Sequence, residues 1–106
     1  MITMDHSLFQ QYVRQDSRPV LVEFWAPWCV YCRRIAPAMD RIAQQYADSL
    51  VVGQVNIDEA PLLADQELIE VVPTLILDRD GKALGSVVAP ESKAAIEAFI
   101  RQTLGN

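Results

Sequence analysis

The stretch Trp25-Ala26-Pro27-Trp28-Cys29-Val30-Tyr31-Cys32 constrains this chain more than any other. It holds both cysteines and both tryptophans of the 106-residue sequence. The run before it, Val20 to Trp25, is apolar except for Glu23 and reads as a strand covered on both faces. The run after it, Arg33 to Tyr46, carries Ile35, Ala36, Met39, Ile42, Ala43 and Tyr46 at helical spacing. That stripe predicts an amphipathic helix packed on the core, with Pro37 inside it removing one backbone donor. The cysteines therefore fall at a strand-to-helix junction. With Cys29 opening the helix, Cys32 lies one turn along, within bridging reach. Unpaired N–H groups at a helix start stabilise a thiolate.

The remaining elements follow from periodicity and punctuation. Residues 2 to 4 read as a short strand, and Asp5 as an N-cap before Leu8, Phe9, Tyr12 and Val13 on one helix face. Val51 to Ile57 reads as a strand, and Asp58 to Pro61 turns the chain into a short helix from Leu62 to Glu67. Val71-Val72-Pro73-Thr74 leads into a strand at Leu75 to Leu77, and Asp78 to Gly81 reads as a hairpin turn. Ala83 to Val88 returns antiparallel, and Ile96, Phe99, Ile100 and Leu104 mark a last helix. The order β-α-β-α-β-α-β-β-α predicts an α/β fold, a central mixed five-stranded sheet flanked by four helices, as a single domain over residues 1–106.

Composition narrows the function classes. A net charge of −5 argues against nucleic acid or an anionic membrane as the main partner. No run approaches the ~20 apolar residues that span a bilayer. Met1 to Asp5 has neither a basic region nor an apolar run, so no secretory signal is expected and the default compartment is cytoplasmic. Lasting disulfides are rare there, so a Cys-x-x-Cys pair in a βαβ setting reads as redox chemistry. Zinc needs four ligands, and His6 is the one further soft candidate, so no metal and no cofactor is expected. A metal or iron–sulfur centre shared by two chains is the exception that paired motifs leave open.

The chain resembles thioredoxins along nearly its whole length. The residues that carry the resemblance are Val22-Glu23-Phe24-Trp25-Ala26 leading into Trp28-Cys29 and Cys32, then Ile35-Ala36-Pro37, Val55-Asn56-Ile57-Asp58 and Val72-Pro73-Thr74-Leu75. The resemblance implies the thioredoxin fold and reduction of protein disulfides by dithiol–disulfide exchange. It implies Cys29 as the attacking thiol, Cys32 as the resolving thiol, and a cis Val72–Pro73 bond facing them. It further implies protein disulfide substrates, a thioredoxin reductase or similar electron donor, and a monomer.

Helix-end activation alone is modest. A cysteine of pKa about 8.5 is only a few per cent thiolate at pH 7, and the value of about 7 established for thioredoxins gives roughly a sixteenfold gain. A Brønsted slope near 0.5 takes back about fivefold in nucleophilicity, leaving roughly threefold. Docking and the nearby resolving thiol must supply the rest.

The supporting residues each have two readings. Glu23 is either a surface carboxylate or a buried group that moves a proton to or from Cys32. The family usually has Asp there and a Lys at the position of Gln54, and losing that cation should raise the carboxyl pKa. Trp28 is either core packing or part of a docking surface with Val72, Pro73 and Ala89, and Trp25 either faces the core or packs under the cysteines. Arg33 and Arg34 are either a solvated face or cations near the thiolate. Ala89-Pro90 replaces the family's usual Gly-Ala, and Pro90 lacks an N–H, so a narrower substrate surface is expected. Val30-Tyr31 replaces the usual Gly-Pro, which leaves the direction of electron flow open. A disulfide oxidant or isomerase is one alternative, and a non-catalytic binding subunit of the same fold is another.

Overall fold

The structure is a computed structural model that describes residues 1–105. Along the chain run β1 (Ile2–Thr3), α1 (His6–Gln15), β2 (Val20–Trp25), α2 (Val30–Gln45), β3 (Val51–Asn56), α3 (Pro61–Gln66), β4 (Thr74–Arg79), β5 (Lys82–Val88) and α4 (Lys93–Leu104). The five strands form one sheet in the order β1-β3-β2-β4-β5. β1 and β2 pair parallel with β3, while β4 runs antiparallel to both β2 and β5. This is the predicted mixed sheet with four helices.

Strand alternation divides the core into two layers. Val20, Val22 and Phe24 of β2 face one layer with Phe9 and Val13 of α1 and Leu63 of α3. Leu21 faces the other layer, with Ile35, Met39 and Ile42 of α2 and Ile96 and Ile100 of α4. By the same period Glu23 and Trp25 point toward α2, the helix that carries Cys32. A single strand thus aims its one carboxylate at the cysteine helix.

Local chemistry accounts for the element ends. Asp5 caps α1, its carboxylate accepting from the Leu8 N–H at 2.8 Å. Ser92 caps α4 in the same way through the Ala95 N–H. His6 is half-buried, and its ring Nε2 lies 3.1 Å from the Gln10 amide nitrogen one turn on. α2 starts at Val30, three residues ahead of the run read from Arg33, and Cys29 opens it as the cap, as the bridging spacing of the cysteines requires.

The hairpin also differs from expectation. Its turn is the pair Asp80-Gly81, with φ of 55° and 80°, the backbone of a tight two-residue hairpin. Asp78 belongs to β4, opposite Val20 and Ala83, and is buried. Burial, and after it the negative charge of Glu67, pushes its carboxyl up to about 6.

α3 closes with the Ile69 N–H donating to the Ala64 carbonyl (2.9 Å) and the Leu68 N–H to the Asp65 carbonyl (3.1 Å). That pattern places Leu68 in the left-handed position, φ 58°, where glycine is usual. Leu68 is 82% exposed, so its side chain adds little packing to offset the backbone cost. Leu68→Gly is expected to raise stability by about 0.5–1 kcal/mol, the left-handed penalty less the extra entropy of an unfolded glycine. A urea midpoint that falls in the variant would contradict this.

Candidate active site

The site lies where β2 delivers the chain to α2. Ala26 is fully buried, and its carbonyl accepts from the Cys29 N–H at 3.1 Å, tucking the loop against the sheet. Cys29 is the N-cap of α2: its Sγ accepts from the Cys32 N–H at 3.1 Å. This places the sulfur among the free donors of the helix start, the environment that favours a thiolate. Cys29 and Cys32 form a disulfide, with Cα atoms 5.3 Å apart. Both are nearly covered, Cys29 at 7% exposure and Cys32 at 4%, so Cys29 is the slightly more open of the two.

The loop before β4 faces the pair. Val72–Pro73 is cis, as the resemblance implies, and the Val72 carbonyl oxygen lies 3.7 Å from Cys29 Sγ. Pro73 is fully buried. The Ala89 N–H donates to the Pro73 carbonyl at 2.9 Å, so the turn after β5 closes on the same loop. Ala89 holds a φ of 47°, the left-handed region that the family's usual glycine adopts freely. The sequence-predicted docking residues Val72, Pro73 and Ala89 therefore come together beside Cys29.

Trp28 stands out from this surface, 64% exposed, its indole N–H donating to Asp58 Oδ1 at 3.3 Å. Plain core packing of Trp28 is thereby ruled out. Val30, Val71 and Val88, each more than half exposed, flank Cys29, Val72 and Ala89 in turn. The rim of the disulfide is thus apolar. Arg33 and Arg34 are exposed on α2. Trp25 packs against the cluster of Ala26, Cys29 and Cys32, the second of its two readings.

Glu23 is buried at 3% exposure, which removes the surface-carboxylate reading. Its Oε2 has no hydrogen-bond partner among the described residues. Burial, and after it the negative charge of Asp40 on α2, pushes its carboxyl up to about 7. A cavity of about 180 Å³ is lined by Glu23, Trp25, Cys32, Arg33, Ala36 and Gln54. Glu23 and Cys32 thus open onto one small space behind the disulfide. Gln54 pairs opposite Glu23 in the sheet, but its amide turns to Thr3 Oγ1 at 3.3 Å, so no cation compensates the carboxylate from that position.

Two contacts escaped the sequence reading. The Trp28–Asp58 bond and a bond from the Tyr31 hydroxyl to the Pro90 carbonyl join residues 30 and 59 positions apart. No local pattern announces either. Among the described residues, no group of three or more His, Cys, Asp or Glu is arranged to hold a metal ion.

A helix capped by one cysteine of a Cys-x-x-Cys disulfide, set at the end of a central strand and faced by a cis-proline loop, defines a thiol–disulfide oxidoreductase. The thioredoxin family model matches residues 1–102. Thioredoxin 1 of Synechococcus elongatus is 48% identical over 88 residues, covering 83% of this chain and 82% of that protein. Thioredoxin of Acidithiobacillus ferridurans is 45% identical over 96 residues, covering 91% and 89%. The chloroplastic M-type thioredoxin of Chlamydomonas reinhardtii is 40% identical over 96 residues, covering 91% and 69%. The chain belongs to the thioredoxin family. It is a thiol–disulfide reductase whose redox pair is Cys29 and Cys32.

Proposed function

We propose that the protein reduces disulfides in other proteins, with Cys29 as nucleophile, Cys32 as resolving thiol and Glu23 as the acceptor of the Cys32 proton. The observation that carries this reading is the capping bond from the Cys32 N–H to Cys29 Sγ. In the reduced protein the Cys29 thiolate attacks one sulfur of the substrate disulfide. A Cys29–substrate disulfide forms, and the other substrate sulfur leaves as thiolate. Cys32, giving its proton to Glu23 across their shared cavity, then attacks Cys29 Sγ. The Cys29–Cys32 bond forms and the second substrate sulfur departs. Two electrons pass from the protein dithiol to the substrate, which ends as a dithiol after taking up two protons.

Trp28, Val72, Pro73 and Ala89 form the docking surface in this reading. A thioredoxin reductase or similar dithiol or flavin donor returns the electrons. The protein works as one domain and as a monomer in the cytoplasm. No helix among the described residues is long and apolar enough to cross a membrane, which agrees with that placement. Two of the relatives are chloroplastic, so a tagged chain expressed in its own cell tests the compartment directly.

The direction of electron flow is tested by the midpoint potential against glutathione. The expected value is more reducing than about −230 mV, on the thioredoxin side of the family's range. A value above about −180 mV would make the protein an oxidant or isomerase.

A further inference from the structure

The second residue between the cysteines does something that a glycine or proline there could not do. Tyr31 is half-buried in the second position of α2, and its ring packs beside both the disulfide cluster and the α2–α4 layer. Its hydroxyl donates to the Pro90 carbonyl at 3.0 Å. Pro90 is itself buried and brings no N–H to the turn, so its carbonyl is the polar group by which that residue can be held. The preceding Ala89 sits at φ 47°, an unfavourable region for alanine, and its N–H is committed to Pro73.

Three segments therefore meet through two hydrogen bonds. The start of α2 grips the β5–α4 turn through Tyr31 and Pro90, and that turn grips the loop before β4 through Ala89 and Pro73. The exposed Val88 and Val71 are neighbours of these anchors, and Val72 lies against Cys29 Sγ. Fixing the turn fixes how far one side of the apolar rim stands from the attacking sulfur. A turn built on an alanine in the left-handed region gains most from such a tie, because its backbone does not favour that shape unaided.

We propose that Tyr31 is a specificity-determining positioning residue, holding the β5–α4 turn against the cysteine helix so that the apolar rim meets extended, apolar segments around a protein disulfide. This rests on the docking surface assigned above. A small disulfide reaches the sulfurs without touching the far side of the rim, so it does not sense the tie. Neither the hydroxyl nor the carbonyl is itself oxidised or reduced, so on this proposal the bond is kept in both redox states, which the measured potential checks.

The test is Tyr31→Phe in the full chain, which keeps the ring and removes the hydroxyl. Insulin serves as the protein disulfide with dithiothreitol as reductant, and 5,5′-dithiobis(2-nitrobenzoate) as the small one in single turnovers of protein pre-reduced and freed of dithiothreitol, with the midpoint potential measured alongside. The variant is expected to raise KM for insulin by about 3- to 10-fold, the worth of one net hydrogen bond. Its kcat for insulin, its rate with the small disulfide and its potential should stay at wild-type values. Equal losses on both substrates, or a shifted potential that accounts for the rate change, would overturn the proposal in favour of a general effect on the fold or the redox pair. An unchanged KM with an active wild type would overturn the proposal alone. Wild-type protein that reduces insulin no faster than dithiothreitol by itself would overturn the docking surface, and the proposal with it.

Discussion

Cys32→Ser is expected to stop turnover and leave Cys29 joined to its substrates. The first exchange needs only the Cys29 sulfur, which the helix start supports. The second needs a thiol already in place, and Cys32 sits one turn away with its N–H on that sulfur. Oriented intramolecular groups reach effective concentrations far above any thiol in solution. Steady-state reduction of insulin should therefore fall by on the order of 10³-fold or more. The trapped species should run as a covalent adduct on a non-reducing gel and vanish with dithiothreitol. Adducts that form on Cys32 in the reciprocal Cys29→Ser protein, and not on Cys29, would reverse the two roles. Partner binding that survives loss of both sulfurs would instead favour a non-catalytic binding subunit.

Glu23→Gln should change both the pH dependence of the rate and that of stability. The wild-type carboxyl is held up to about 7 by burial, with Asp40 adding to the effect. Only its ionised form can take the Cys32 proton, so resolution should accelerate as pH rises through about 7. The amide cannot take that proton. The inflection should disappear, and the rate at pH 8 should drop by up to about 10²-fold. Stability moves the other way. The folded protein binds this proton more tightly than the unfolded chain, whose carboxyl titrates near 4.5. The stability of the neutral acid is fully present below that value and is lost as pH climbs through about 7. Raising the carboxyl from 4.5 to about 7 makes that loss about 3 kcal/mol. The amide resembles the neutral acid, so the variant should match wild type near pH 4 and exceed it by about that amount at pH 8. Asp78, held up to about 6, adds a second loss in the window between 3.8 and 6 that the variant retains. Urea unfolding at pH 5 and 8, with stopped-flow rates across the same range, separates the two. A variant that keeps the inflection near 7 would remove Glu23 from the proton path.

The fold was legible where one pattern dominated. The apolar run from Val20 to Trp25 and the stripe from Ile35 to Tyr46 each answer to a single period, so strand, helix and the junction between them were all readable. The start of α2 came from the cysteine spacing, which needs Cys29 to open the helix, since Val30-Tyr31 carries no helix-start signature of its own. Asp78 was misassigned. Asp-Arg-Asp-Gly is turn chemistry in isolation, yet pairing with Val20 extends β4 through its first two residues and buries the carboxylate. At the site, the cysteines were readable from their spacing, the facing proline loop came only through the family resemblance, and Glu23 stood between a surface and a buried reading until its 3% exposure decided it. The ties from Tyr31 to Pro90 and from Trp28 to Asp58 depend on how distant segments happen to meet, and spacing holds no record of that.

The capping sulfur has one more consequence. The first turn of α2 is wound on the very atom that reacts, so helix initiation and reactivity descend as a single inherited unit. A lineage that shifted the helix start by one residue would strand its sulfur outside the ring of donors, with every other residue intact. The two positions between the cysteines can therefore take on other work, as Tyr31 does through its bond to Pro90, but the pair cannot slide along the helix without losing the cap.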